Sequence, residues 1–260
     1  MIDGPFALAG AATGFVVGLT GVGGGALMTP LLLLVFGVAP ATAVATDLWF
    51  AAITKVAAVA VHGRDGKVDW QVVRRLWAGS IPASLAIVAV VAFGARLERV
   101  GWLTVAIGIV VGIAGAGLLV APALQSFART RRIAEPAGFK ARQAPLTVLA
   151  GAALGVLVAL TSVGAGALGS AMLVALYPLR MTPHRLVATD VAHAIPLAAV
   201  AGSGYLVAGL VDGGMLLSLL AGSVPAAVAG SLLAGRIPAG WLRTALALVL
   251  IASAAKTVLS

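Results

Sequence analysis

Four ionisable residues stand inside apolar runs of this chain: Asp47, Lys55, Asp190 and His193. Ionisable side chains are costly in such surroundings and count as functional candidates by default. Asp47 and Asp190 each follow the dipeptide Ala-Thr. Asp190 and His193 are spaced i, i+3, so one helix face carries both. An ionised carboxylate repels a passing anion, whereas a protonated one donates a hydrogen bond to it. We therefore expect Asp47 and Asp190 to form a matched pair. Protonation of at least one would be coupled to anion movement, with His193 able to exchange protons beside Asp190. Lys55 could supply fixed positive charge, snorkel, or neutralise Asp47, eight residues back and about 12 Å along a helix. The competing reading is that both aspartates cap helix N-termini, where Asp is favoured.

A second set of residues could hold an anion through the backbone. Residues 19–30 read LTGVGGGALMTP, and residues 160–171 read LTSVGAGALGSA. Both lie in apolar sequence and both should break a helix. Non-helical backbone survives at membrane depth only where protein or a water-filled cavity surrounds it. A break exposes the N-terminal amides of the half-helix that follows, which carry the positive end of its dipole. Glycine lets an anion approach that backbone without a Cβ clash. The candidate binding residues are Thr20, Gly21, Val22, Gly23, Gly24 and Gly25 in the first stretch. In the second they are Thr161, Ser162, Val163, Gly164, Ala165 and Gly166. Paired broken helices at a repeat interface point to a transporter substrate site. The plainer reading is that the glycines only let helices pack closely. No Gly-Lys-Ser/Thr follows, so a phosphate-binding P-loop is not supported.

Long apolar elements must position these groups. The chain has 260 residues, 61% hydrophobic and 10% charged, with a mean hydropathy of +1.12. A soluble domain has about 25% charged residues. Apolar runs of spanning length fall at about 43–61, 76–95, 100–124, 186–208, 214–235 and 239–259. Two longer runs, 4–36 and 145–178, carry the glycine-rich breaks. The alternating ten-residue pattern of a membrane β-barrel is absent. The start, MIDGPFALAG, lacks a basic n-region and is not read as a removed signal peptide. There is no cysteine, which excludes disulfides, thiolate metal sites and cysteine nucleophiles. The net charge of +9 comes from short basic loops, as in the positive-inside pattern, and does not point to nucleic acid.

The breaks belong to a repeat. Leu19–Leu27 matches Leu160–Leu168, and Ala45-Thr46-Asp47 matches Ala188-Thr189-Asp190. Gly66–Asp69 matches Gly209–Asp212, Ala78–Ala83 matches Ala221–Ala226, and Gly101-Trp102-Leu103 matches Gly240-Trp241-Leu242. The order is kept, with an offset close to 140 residues. The expected organisation is a first membrane repeat over 1–124, a basic cytoplasmic linker over 125–144 and a second membrane repeat over 145–260. Each half reads as a glycine-broken, re-entrant-type helix pair plus three spans. The loop around 62–75 holds four Lys/Arg where its partner around 205–214 holds none, and Arg180 and Arg185 stand where 37–42 has none. The positive-inside rule then favours inverted halves. The fold class expected is an all-α polytopic membrane protein.

Gly14, Gly18, Gly21, Gly23, Gly24, Gly25 and Pro30 form a spaced pattern, followed by Ala45-Thr46 and by Gly66-Lys67-Val68-Asp69-Trp70. The chain thereby resembles the TauE/SafE sulfite exporter family over almost its whole length. The resemblance implies a secondary transporter for small sulfur-containing anions such as sulfite, thiosulfate or sulfonates, in a bacterial plasma membrane. It implies that both glycine motifs and the Ala-Thr positions, Thr46 and Thr189, line the substrate path. It implies no cofactor, no metal and no enzymatic activity. The partners are then the anion, membrane lipid and protons, with an oligomer allowed. This chain departs from the family in carrying Asp47 and Asp190 where a small polar residue is common. Its second motif has Ala165 for one glycine and no matching proline. Two rival readings remain open at this point. One is a hydrolase using Ser162 and His193, although a Gly-x-Ser-x-Gly setting is missing. The other is a cation-coupled or cation-selective transporter with Asp47 and Asp190 as ligands.

Overall fold

The computed structural model describes residues 2–20, 25–62, 68–93, 101–134, 136–233 and 239–259. Those residues form ten helices: α1 (Gly4–Thr20), α2 (Gly25–Leu34), α3 (Pro40–His62), α4 (Trp70–Phe93), α5 (Gly101–Ala134), α6 (Pro136–Thr161), α7 (Ala167–Leu176), α8 (Pro183–Val207), α9 (Gly213–Leu233) and α10 (Ala239–Leu259). Six stretches among them are long and apolar enough to cross a membrane, in α3, α4, α5, α6, α8 and α9. Helices are the natural outcome, because backbone groups in lipid must bond within their own segment. Pro40, Pro136 and Pro183 open α3, α6 and α8, where a missing N–H costs nothing. The stretch 125–144 continues α5 and opens α6.

The expected break of the second half divides a helix pair. In the second half the break spans residues 162–166. Ser162 has φ 58°, and Gly164 and Gly166 have φ 129° and 127°. Those angles suit glycine and strain an L side chain. In the first half α1 ends at Thr20 and α2 starts at Gly25. Gly21, Val22, Gly23 and Gly24 lie outside the described residues.

Each broken pair doubles back on itself. Phe6 of α1 stacks on Phe36, just past α2, with ring centroids 4.5 Å apart. Gln143 of α6 donates to the Leu176 carbonyl at the end of α7, at 2.7 Å. Thr147 and Tyr177 share a hydroxyl–hydroxyl bond of 2.8 Å. Thr147 and Tyr177 are the repeat partners of Phe6 and Phe36, so a stacked pair and a hydrogen-bonded pair close the same joint.

The halves interlock. α1 packs along α9 and α6 along α4; α3 meets α9 and α8 meets α4; α3 meets α8 and α5 meets α10. The α1 contacts advance together, with Gly10 on Leu219, Gly14 on Ser223 and Gly18 on Ala227. α1 and α9 therefore run parallel. Gly151 on Leu76 and Gly155 on Ser80 make α6 and α4 parallel as well. A Cβ on Gly14 would come within 2.6 Å of the Ser223 Cα. Small residues that let backbones touch are the usual means of helix association in lipid. α5 and α10 run antiparallel, with Gly112 on Ala254 and Gly115 on Leu250.

Candidate functional site

The site is built where α3 and α8 meet the break of the second half. Asp47 lies seven residues into α3 and Asp190 seven residues into α8. Neither caps a helix. The N-cap of α8 is Thr182, whose hydroxyl accepts from the Arg185 amide at 3.4 Å. Asp47, Asp190 and His193 are buried, and Lys55 is only 3% exposed, so it does not snorkel.

Asp47 faces two elements. The Thr29 hydroxyl of α2 donates to its Oδ2. The Ser162 hydroxyl, from the other half's break, faces the same carboxyl group without the geometry of a full hydrogen bond. Lys55 crosses in the same direction. Its Nζ donates to the Ala165 carbonyl in that break at 3.3 Å. Its ammonium lies within Coulombic reach of both Asp190 and Asp47. Asp190 packs its Oδ1 against Gly169, in space that a Cβ would fill. The Gly166 amide faces the Asp190 carboxylate, but both Asp190 oxygens lack a conventional partner among the described residues. First-half charges thus meet a second-half break.

The hydroxyls divide by task. Thr161 donates to the Leu157 carbonyl at 2.7 Å and accepts from the Val163 amide at 3.1 Å. These bonds shape the turn. Thr20 donates to the Val16 carbonyl of its own helix at 2.8 Å. Thr46 accepts from the Asp212 amide at 3.2 Å, and Thr189 accepts from the Asp69 amide at 3.1 Å. These two threonines tie each half's long helix to the other half. Val163 and Gly164 are buried within the turn, and Gly25 opens α2.

Several contributors escaped sequence reasoning. Ser80 of α4 bonds His193 Nε2 at 2.9 Å, and its repeat partner Ser223 bonds Thr54 at 2.9 Å. The shared Ala-Gly-Ser-x-Pro-Ala motif was the available signal for both. Thr29 stands next to last in the first quoted glycine stretch and had no ionisable neighbour in sequence to mark it. Asp69 pairs with Arg180 at 2.5 Å and with Arg185 at 3.0 Å. His193 engages Ser80, and Ser162 faces Asp47, so the serine–histidine pair of a hydrolase is not assembled.

Six spans around a buried set of ionisable side chains define a multi-pass membrane protein. Residues 6–257 match the family model described as sulfite exporter TauE/SafE. The chain is also 36% identical over 217 residues to the probable membrane transporter protein YjnA of Bacillus subtilis (strain 168), covering 82% of this chain and 83% of that protein. No solved structure matches. The chain belongs to the sulfite exporter TauE/SafE family. It is a membrane transporter and not an enzyme.

Proposed function

We propose that the protein moves a small sulfur-containing anion, such as sulfite, thiosulfate or a sulfonate, across the plasma membrane. Movement is by alternating access around a midplane site between the two glycine breaks. One observation carries the reading: Asp47 and Lys55 of the first half meet Ser162 and Ala165 in the break of the second. Helix amides, glycine backbone and a buried ammonium suit an anion. Asp47 and Asp190 with Lys55 sum to one negative charge when all are ionised. Taking up a proton removes that repulsion and adds a donor, which couples protons to the anion. The substrate set comprises both glycine breaks with Thr46 and Thr189, and His193 assists proton exchange.

The halves, 1–124 and 145–260, are inverted repeats joined by the basic linker 125–144. Two features support this. Trp77 and Ser80 of α4 contact His193, and Val88 lies on Gly204, so α4 and α8 run parallel. α3 and α8, which are repeat partners, run antiparallel, with Trp49 on Gly202 and Lys55 facing Asp190. The doubled-back pairs α1–α2 and α6–α7 are then re-entrant. Arg180, Arg185 and Arg75 gather at one end of the bundle, which the positive-inside rule assigns to the cytoplasm.

The test is thermal stability of the purified protein with sulfite, thiosulfate, sulfoacetate, taurine, sulfate, acetate and chloride at two pH values. A ligand of the folded state raises the melting temperature by mass action. The reading predicts a rise with one or two sulfur oxyanions and loss of that rise in Gly164→Leu. A flat response to every anion would contradict it.

A further inference from the structure

The centre of the site holds a cation that is tethered to the chain. Lys55 lies in the middle of α3, buried to 3% exposure. One of its three donors goes to the Ala165 carbonyl, released from helical bonding by the break. Its positive charge faces Asp190 and Asp47. Asp47 Oδ1, both Asp190 oxygens and the Ser162 hydroxyl have no hydrogen-bond partner among the described residues, and all are buried. A free main-chain carbonyl, a hydroxyl and carboxylates at an unwound helix are the oxygens that hold a monovalent cation in other transporters.

The position that matches Lys55 in the second half is Ala198, which is buried and uncharged. The ammonium is therefore an addition to one half and not a part of the repeated scaffold. Without it, the two buried carboxylates would have no counter-charge among the described residues. Such a charge must be neutralised, because leaving it unpaired is strongly destabilising. An alkali ion of the right size would find its oxygens already in place.

We propose that the Lys55 ammonium occupies a monovalent-cation site in the transport centre, so that the native protein works without sodium and removal of Lys55 makes the site sodium-responsive. The proposal rests on the reading of these residues as the transport site. It makes Lys55 the residue that sets which ion accompanies the anion.

The experiment compares the wild type with Lys55→Ala and Lys55→Met, purified and melted at pH 8 in sodium chloride or choline chloride of equal concentration. The wild type should melt at the same temperature in both salts. At least one Lys55 variant should show a saturable rise of about 2–4 °C or more in sodium, a shift of the size that binding gives a chain this long. Folded variants that ignore sodium would overturn the proposal, as would a wild type that responds to sodium. If neither variant folds in sodium while Lys55→Met/Asp190→Asn does, sodium cannot replace the ammonium and the proposal also fails. The anion screen on the wild type is a separate result. A flat anion screen with sodium-responsive Lys55 variants would sink the substrate reading and leave this one standing.

Discussion

Two joints tie the halves together, and they are the same joint built twice with different charge. At one, the Asp69 amide donates to Thr189 at 3.1 Å; at the other, the Asp212 amide donates to Thr46 at 3.2 Å. Each aspartate also caps its helix, with Asp69 Oδ1 accepting from the Val72 amide and Asp212 Oδ1 from the Met215 amide. Among the described residues only the Asp69 joint adds two arginines, Arg180 and Arg185, and a further bond from Arg180 to Gln71 at 2.9 Å. The repeat supplies an even-handed scaffold, and single substitutions make its two ends unequal. The centre follows the same rule, with Lys55 opposite Ala198 and His193 opposite Phe50.

The largest expected effect lies at the centre. Asp190→Asn and Asp47→Asn should each lower transport by about tenfold or more, equal to roughly 1.4 kcal/mol in the barrier. Each should flatten the dependence of flux on pH, measured in proteoliposomes. Unchanged flux and pH profile in both variants would remove the carboxylates from the mechanism. A clear loss in one alone would show that the halves differ here too.

Next come the packing seams. Gly14 and Gly155 are repeat partners that lie against Ser223 and Ser80, themselves partners. Gly14→Leu and Gly155→Leu should each destabilise by about 1–3 kcal/mol, the usual cost of overpacking. Equal costs in denaturation would confirm that this part of the scaffold is even-handed. Both glycines belong to runs that a sequence reader would assign to the breaks or their approach, yet their role is contact between backbones.

The joints themselves should differ. Asp69→Asn removes a buried acceptor for two partly exposed arginines and should cost about 1–3 kcal/mol. It should also raise labelling of a cysteine placed at Gln71, an exposed position in a chain with no native cysteine. Asp212→Asn should cost less than about 1 kcal/mol, because it keeps an oxygen to cap α9 and has no arginine partner among the described residues. Equal effects would erase the contrast between the ends. The smallest effect expected is from Thr46→Val and Thr189→Val, about 1 kcal/mol each.

Much of this was legible because membrane helices announce themselves by length and apolarity. The span at 43–61 became α3, the span at 186–208 became α8, and the divided runs 4–36 and 145–178 became the two helix pairs. Asp47, Lys55, Asp190 and His193 stood out because charge inside an apolar run has few innocent uses. What stayed hidden was partnership. Nothing in the order of residues says that Lys55 reaches Ala165, 110 positions away, or that Ser80 finds His193. Thr46 and Thr189 illustrate the limit best. The family resemblance implied a part in the substrate path, and nothing in the order of residues marked that their hydroxyls also accept from the amides of Asp212 and Asp69.

The central claim is that an anion crosses together with protons through a site shared by both halves. Its most direct test is flux of labelled sulfite or thiosulfate into proteoliposomes, with and without an imposed pH gradient and with choline in place of sodium. The account predicts flux that the pH gradient drives, that sodium does not alter, and that Asp190→Asn uncouples from the gradient. Flux that follows a sodium gradient and ignores pH would contradict it.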